Sequence, residues 1–100
     1  MIDWTRISGF EWDDHNAHKS HLKHGVGQFE AEQPFFNSPL LVVADETHSQ
    51  SEPRYHALGK TSTDRLLHIT FTLRAGNTLI RVISARDMHR KERKVYEQAQ

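Results

Sequence analysis

A chain of 100 residues, 36% hydrophobic and 26% charged, has material for one domain spanning residues 1–100, because a domain this small buries only about two-thirds of the surface its unfolded form exposes. Its longest apolar run, residues 40–44, is far short of the ~20 residues of a spanning helix, so a soluble, cytoplasmic protein is expected, and the lack of cysteine excludes thiol nucleophiles, disulfides and Cys-ligated metals. Thirteen basic and thirteen acidic residues cancel, yet residues 1–50 carry minus five and residues 51–100 plus five, which gives the second half the charge to meet phosphate or an acidic protein surface.

In chain order, residues 9–12 read as the end of a short strand, after which Asp13 or Asp14 can cap a helix by accepting bonds from its first amides. That helix is expected to run to about His24, with Gly25 as its C-terminal cap. A second short helix is expected within residues 27–33, stopped by Pro34. Residues 40–45 read as a strand by their apolar character and two valines, and residues 46–53 as a polar loop. Residues 54–60 can form a strand. After a turn at 61–64, residues 65–74 alternate, with Leu67, Ile69, Phe71 and Leu73 on one face and Leu66, His68, Thr70, Thr72 and Arg74 on the other. Ala75, Gly76 and Asn77 make a three-residue hairpin loop from which residues 78–85 return antiparallel. Pairing Arg74 with Thr78 puts Phe71 across from Arg81, and His68 across from Ser84 and diagonal to Arg86. From Asp87 the period is helical, with Met88, Glu92, Val95, Tyr96 and Ala99 on one stripe and Arg90, Lys91, Arg93 and Lys94 pointing away. The expected architecture is α+β: two N-terminal helices packed on an antiparallel sheet of about four to five strands, with a basic C-terminal helix.

Four histidines, His15, His18, His21 and His24, recur every three residues. Each step turns a helix by about −60°, so the first and last point to opposite sides and cannot share one ion; the zinc pattern of two His at i, i+4 around a Glu is absent as well. No metal or other cofactor is expected. His24 stands apart because it sits at a helix end beside Lys23 and Gly25. A serine elbow is missing, although the spacing leaves Ser84 beside His68 open. Arginines and histidines without metal or nucleophile suit cleavage of RNA by its own 2′-hydroxyl, which needs a base, cations for a dianionic phosphorane and a proton donor. Arginine fits the second need, since its planar fork holds two phosphate oxygens. A phosphate-binding surface without catalysis would carry the same residues.

The strings Phe10-Glu11-Trp12-Asp13, Lys23-His24-Gly25-Val26, Phe29 with Ala31, Glu52-x-Arg54, Gly59, and Arg81-Val-Ile-Ser-Ala-Arg86 followed by Arg90, Glu92, Arg93 and Tyr96 resemble the BrnT family of bacterial toxins over about residues 10–97. The chain departs from the family at Asn16 and Ser20, where members often have Lys and Asn. The resemblance implies a RelE-like ribonuclease fold, RNA cleavage that stops translation, and neutralisation by a co-encoded BrnA antitoxin, a ribbon-helix-helix protein that takes the pair to operator DNA. By position it implies His24, Glu52, Arg54, Arg81 and Arg86 as catalytic residues, with Arg65 a further position that joins Lys23 and Arg74 as RNA-binding cations. The charged face of the last helix, Arg90, Lys91, Arg93 and Lys94, is where an acidic antitoxin segment is expected to dock. Structural roles compete at several of these positions: Glu52 can pair with Arg54, Arg86 can cap the corner between sheet and helix, and Glu92 can buttress an arginine. Two other readings stand beside the ribonuclease: an inactive partner that keeps only the antitoxin surface, and a His-based metalloprotein.

Overall fold

The alternation in residues 65–74 decides which way the sheet faces. In the computed structural model, which describes residues 2–48 and 51–100, β4 (Leu66–Arg74) is the middle of a five-stranded sheet. The others are β1 (Gly9–Phe10), β2 (Leu41–Asp45), β3 (Arg54–Lys60) and β5 (Leu79–Asp87), in spatial order β1-β5-β4-β3-β2. Leu67, Ile69 and Phe71 are fully buried, and their cross-strand neighbours Ala57, Val82 and Ala85 close the same face. Each such large side chain contributes roughly 2–3 kcal/mol. Two helices, α1 (Lys19–His24) and α2 (Gln28–Glu32), and a 3-10 turn at Gln33–Phe36 are joined to this core through Val26, Ala31 and Phe35. The Phe35 ring meets Phe71 edge-on at 5.1 Å, and Tyr55 stacks on Phe71 at 5.4 Å, both favourable aromatic geometries. The last helix, α3 (Arg90–Gln98), buries Tyr96, whose hydroxyl donates to the Pro39 carbonyl at 2.7 Å.

Two glycines are required by the backbone. Gly25 ends α1 at φ +67°, the left-handed cap the sequence predicts. Gly59 faces the 3-10 turn, where an added Cβ would lie 2.8 Å from the Pro34 Cβ and 3.1 Å from Leu40, too close for any side chain.

Several expectations need correction. The sheet is mixed, because β1 runs parallel to β5. The first helix spans only Lys19–His24; Asp13 does accept from an amide, that of His15 at 2.9 Å, but in a turn that precedes it. The segment after α2 passes through Pro34 as a 3-10 turn, a place where the missing amide of proline costs nothing. The β4–β5 loop holds four residues, Ala75 to Thr78, with Ala75, Gly76 and Asn77 all at positive φ. Arg74 therefore faces Leu79, Arg81 lies across from Thr72, and His68 lies across from Arg86. β5 continues to Asp87 because that residue pairs with Leu67, so α3 begins at Arg90 and not at Asp87. Val95 and Ala99 are exposed, leaving Met88, Glu92 and Tyr96 as the inward row. Part of the expected 46–53 loop, residues 49–50, lies outside the described residues.

Candidate active site

Side chains alternate along a strand, so Arg81 and Arg86, five apart, would project to opposite faces of a regular β5. They do not. Thr70 pairs with Ser84 while its neighbour Phe71 pairs with Val82, leaving Ile83 as an extra residue in β5. This β-bulge switches the parity and brings Leu79, Arg81, Ser84 and Arg86 to one face, away from α1 and α2. The α1 region supports it. Buried Asn16 donates to the carbonyls of Val82 and Glu11 at 2.9 and 3.1 Å, and the Ser20 hydroxyl accepts from the amide of Ala85 at 2.8 Å. Asn16 and Ser20 thus hold the bulged backbone.

The face turned away from α1 and α2 is laid out in rows across the strands. One row runs Asp45, Arg54, Thr72, Arg81; the next Val43, His56, Thr70, Ser84; the third Leu58, His68, Arg86. The arginines are held by carboxylates. Arg81 donates to Glu11 at 2.9 Å and twice to Asp13 at 2.9 and 3.0 Å. Arg74 makes a two-bond fork with Glu52 at 2.9 and 3.0 Å. Arg86 makes another with Glu92 at 2.8 and 3.0 Å and also donates to the Asp87 carbonyl. The Asp13 bonds raise Arg81 above its ordinary value, the Glu52 bonds raise Arg74, and the Arg86 bonds pull Glu92 down to about 2 against the opposing effect of burial. Glu92 also accepts from the His89 amide at 2.7 Å, so one carboxylate starts α3 and fixes Arg86.

One imidazole, His56, sits between the arginine rows and a second, His68, lies in the row of Arg86. The His56 Nε2 is 2.8 Å from the Asp45 carboxylate and its Nδ1 is 3.0 Å from the Thr70 hydroxyl. Its ring lies 4.9 Å from that of His68. His68 is turned toward Glu92, Nε2 to oxygen 3.9 Å, and burial together with the Arg86 charge pushes it down to about 4. Burial opposes ionisation of Asp45, yet the His48 amide and the rings of His48 and His56 outweigh it and hold this carboxyl below the usual range. The hydroxyl–imidazole contact on this face is therefore His56 with Thr70, not Ser84 with His68. Among the described residues, no group of three or more His, Cys, Asp or Glu side chains is placed to hold a metal ion.

A face of forked arginines, carboxylates and imidazoles is suited to phosphodiester chemistry, and comparison with known families says which. A family model described as the ribonuclease toxin BrnT of type II toxin-antitoxin systems matches residues 12–92. The chain belongs to the BrnT family. A search of curated proteins found no match.

For a BrnT chain, the expected site residues divide cleanly. Glu52, Arg54, Arg74, Arg81 and Arg86 share the open sheet face, and Glu52 pairs with Arg74, not with Arg54. His24, Lys23 and Arg65 are elsewhere. Arg65 donates to Asp87 at 2.7 and 3.1 Å, to Glu30 at 2.9 Å and to the carbonyls of Gly25 and His24 at 3.0 and 3.4 Å. It clamps α1 and α2 to the end of β5 on the helix-covered side, and its bonds draw the Asp87 carboxyl below its usual value. His56 and Asp45 were not singled out by sequence reasoning. The signal existed: His56, directly opposite Thr70 once β3 is paired, is the one imidazole on a strand face that otherwise holds Arg54, Leu58 and Lys60. Arg90, Lys91, Arg93 and Lys94 are all exposed on α3, with Arg93 donating to the Met88 carbonyl at 3.3 Å. Among the described residues, no helix is long and apolar enough to cross a membrane.

Proposed function

We propose that this BrnT chain is a metal-independent endoribonuclease of RelE-like fold that cleaves RNA in the cytoplasm by 2′-hydroxyl attack and so stops translation. The observation that carries the reading is the bulge in β5, which gathers Arg81 and Arg86 with Arg54, Arg74, Glu52 and two imidazoles on the face that α1 and α2 leave open. Along the strand the backbone positions of Arg81 and Arg86 are about 13 Å apart, four residues of β4, a span that two long arginine side chains can close on one phosphodiester. Their carboxylate partners hold them in fixed orientation until RNA arrives. An incoming phosphate then takes over guanidinium donors from Asp13 or Glu92, a like-for-like exchange of bidentate acceptors. In the phosphorane, where charge on the equatorial oxygens peaks, those same forks bind more strongly than in the ground state. Lys23, Arg65 and His24, on the other side of the sheet, are assigned no role in the chemistry.

The partner in this reading is a BrnA-like ribbon-helix-helix antitoxin, with operator DNA reached only through it and α3 as the docking surface. The test uses the full chain freed from antitoxin and a single-stranded RNA in the presence of EDTA. Cleavage leaving a 2′,3′-cyclic phosphate is expected, and Arg81→Ala or Arg86→Ala should lose tens to about a thousandfold in rate, the usual loss for one transition-state contact. Activity that disappears with chelation and returns with one divalent metal overturns the metal-free mechanism. Full activity in both alanine variants overturns the site.

A further inference from the structure

The carboxylates that meet Arg74, Arg81 and Arg86 are each taken up by a guanidinium, and His24, the imidazole among the expected catalytic residues, is on the other side of the sheet. From the Arg54 row into the next runs a chain of three side chains from three strands: Asp45 on β2, His56 on β3 and Thr70 on β4. The tautomer follows from the partners. Nε2 of His56 faces a carboxylate oxygen at 2.8 Å, which can only accept, so the neutral ring carries its proton there. Nδ1 is left with a lone pair, and it is already within 3.0 Å of a hydroxyl, that of Thr70. An RNA 2′-hydroxyl can take the same place.

We infer that His56 is the general base of the ribonuclease site and that Asp45 is its positioning residue, an assignment that rests on the ribonuclease reading above. The 2′-hydroxyl proton passes to Nδ1, the O2′–phosphorus bond forms as the phosphorus–O5′ bond breaks, and O5′ takes a proton from water; the imidazolium then returns its proton to solvent. The groups facing His56 are Asp45 from β2, with His48 sharing its carboxylate, and Thr70 and His68 from β4; behind His68 stand Arg86 from β5 and Glu92 from α3. His68 is the poorer candidate. Its side chain is 14% exposed against 32% for His56, and its Nε2 turns toward Glu92.

The experiment measures single-turnover cleavage of a short RNA against pH by the full chain and its variants. The wild type should show a limb of unit slope on the acid side. His56→Ala should be slower by about a hundredfold or more, lose that limb, and recover in part when free imidazole is added, a rescue that a purely structural role cannot give. Asp45→Asn, which reverses the preferred tautomer, should also slow the reaction and shift the limb. If His56→Ala does not fold, the Asp45→Asn profile decides, and an unchanged limb overturns the assignment. A His56→Ala rate within threefold of wild type, while Arg81→Ala is inactive, overturns the base and leaves the ribonuclease reading standing. A wild-type protein that cleaves no RNA overturns both.

Discussion

His68 gives the fold an acid sensitivity that can be measured without any substrate. Burial and the Arg86 charge push its pKa from 6.5 down to about 4. As pH falls through 6.5 the unfolded chain takes up a proton at this ring while the folded chain does not. The stabilisation is complete above 6.5 and is lost as pH falls toward about 4, below which both states are protonated. Each pH unit of that window carries about 1.4 kcal/mol, so the whole is worth about 3 kcal/mol, a large share of the stability of a small domain. Glu92, pulled from 4.5 to about 2 chiefly by Arg86, also loses its contribution in acid, but in the window from 4.5 to about 2, so the two effects separate. Urea unfolding in half-unit steps between about pH 7.5 and 4 should show the wild-type midpoint falling through the upper window by roughly 2–3 M for a typical slope. His68→Gln removes the titration and keeps a side chain of similar length. Its stability relative to wild type should rise by about 1.4 kcal/mol per pH unit between about 6 and 4.5 and be constant above about pH 7. Parallel curves across the range would refute the burial of a neutral ring against Arg86.

Arg65→Met should lower stability by about 2 kcal/mol, because Glu30, Asp87 and two helix-end carbonyls lose a charged donor; weakened RNA binding at an unchanged urea midpoint would return Arg65 to the RNA-binding set. Lys91→Glu with Lys94→Glu should slow association with the antitoxin, and rising salt should slow the wild type too, since exposed charges are screened within about 8 Å; stopped-flow rates indifferent to both would move the antitoxin off α3.

Much of the fold was legible because it follows from periodicity and turn chemistry. The two-residue alternation of β4 names the core face, Gly25 names the end of α1, and the apolar run at 40–45 names β2. The misplacements share one physical cause, that local sequence does not set register. A fourth loop residue moved the β4–β5 pairs by one up to the bulge and the bulge moved those beyond it by one more, and Asp87 stayed in the sheet because Arg65, 22 residues earlier, holds it. The bulge at Ile83 has no local signature at all, since the groups that satisfy it are Asn16 and Ser20, more than 60 residues away. For the site this mattered more than for the fold. Strict alternation separates Arg81 from Arg86, so the motif pointed to two residues whose common face only the bulge explains. His24 shows the opposite case: its neighbours in sequence look chemical, but it ends α1, on the side of the sheet away from the arginine rows.

The same folding bears on charge. Along the sequence, acid and base are segregated into halves, which invites a picture of a basic lobe that draws RNA from a distance. In space the halves are interleaved: Glu11 and Asp13 meet Arg81, Glu11 also lies 3.6 Å from Arg74, and Asp45 meets His56. On the open face Arg74 and Arg81 each have an acidic neighbour, so their far field is weak and their near field is strong and directional. Such a surface discriminates at contact, where a bidentate phosphate can replace a carboxylate, and contributes little to long-range capture. The exposed side of α3, with Arg90, Lys91 and Lys94 closely spaced, has the opposite character and suits fast, salt-sensitive encounter with an acidic chain. Slow, contact-selected RNA binding on one face and rapid electrostatic capture of an antitoxin on another would let inhibition outrun catalysis.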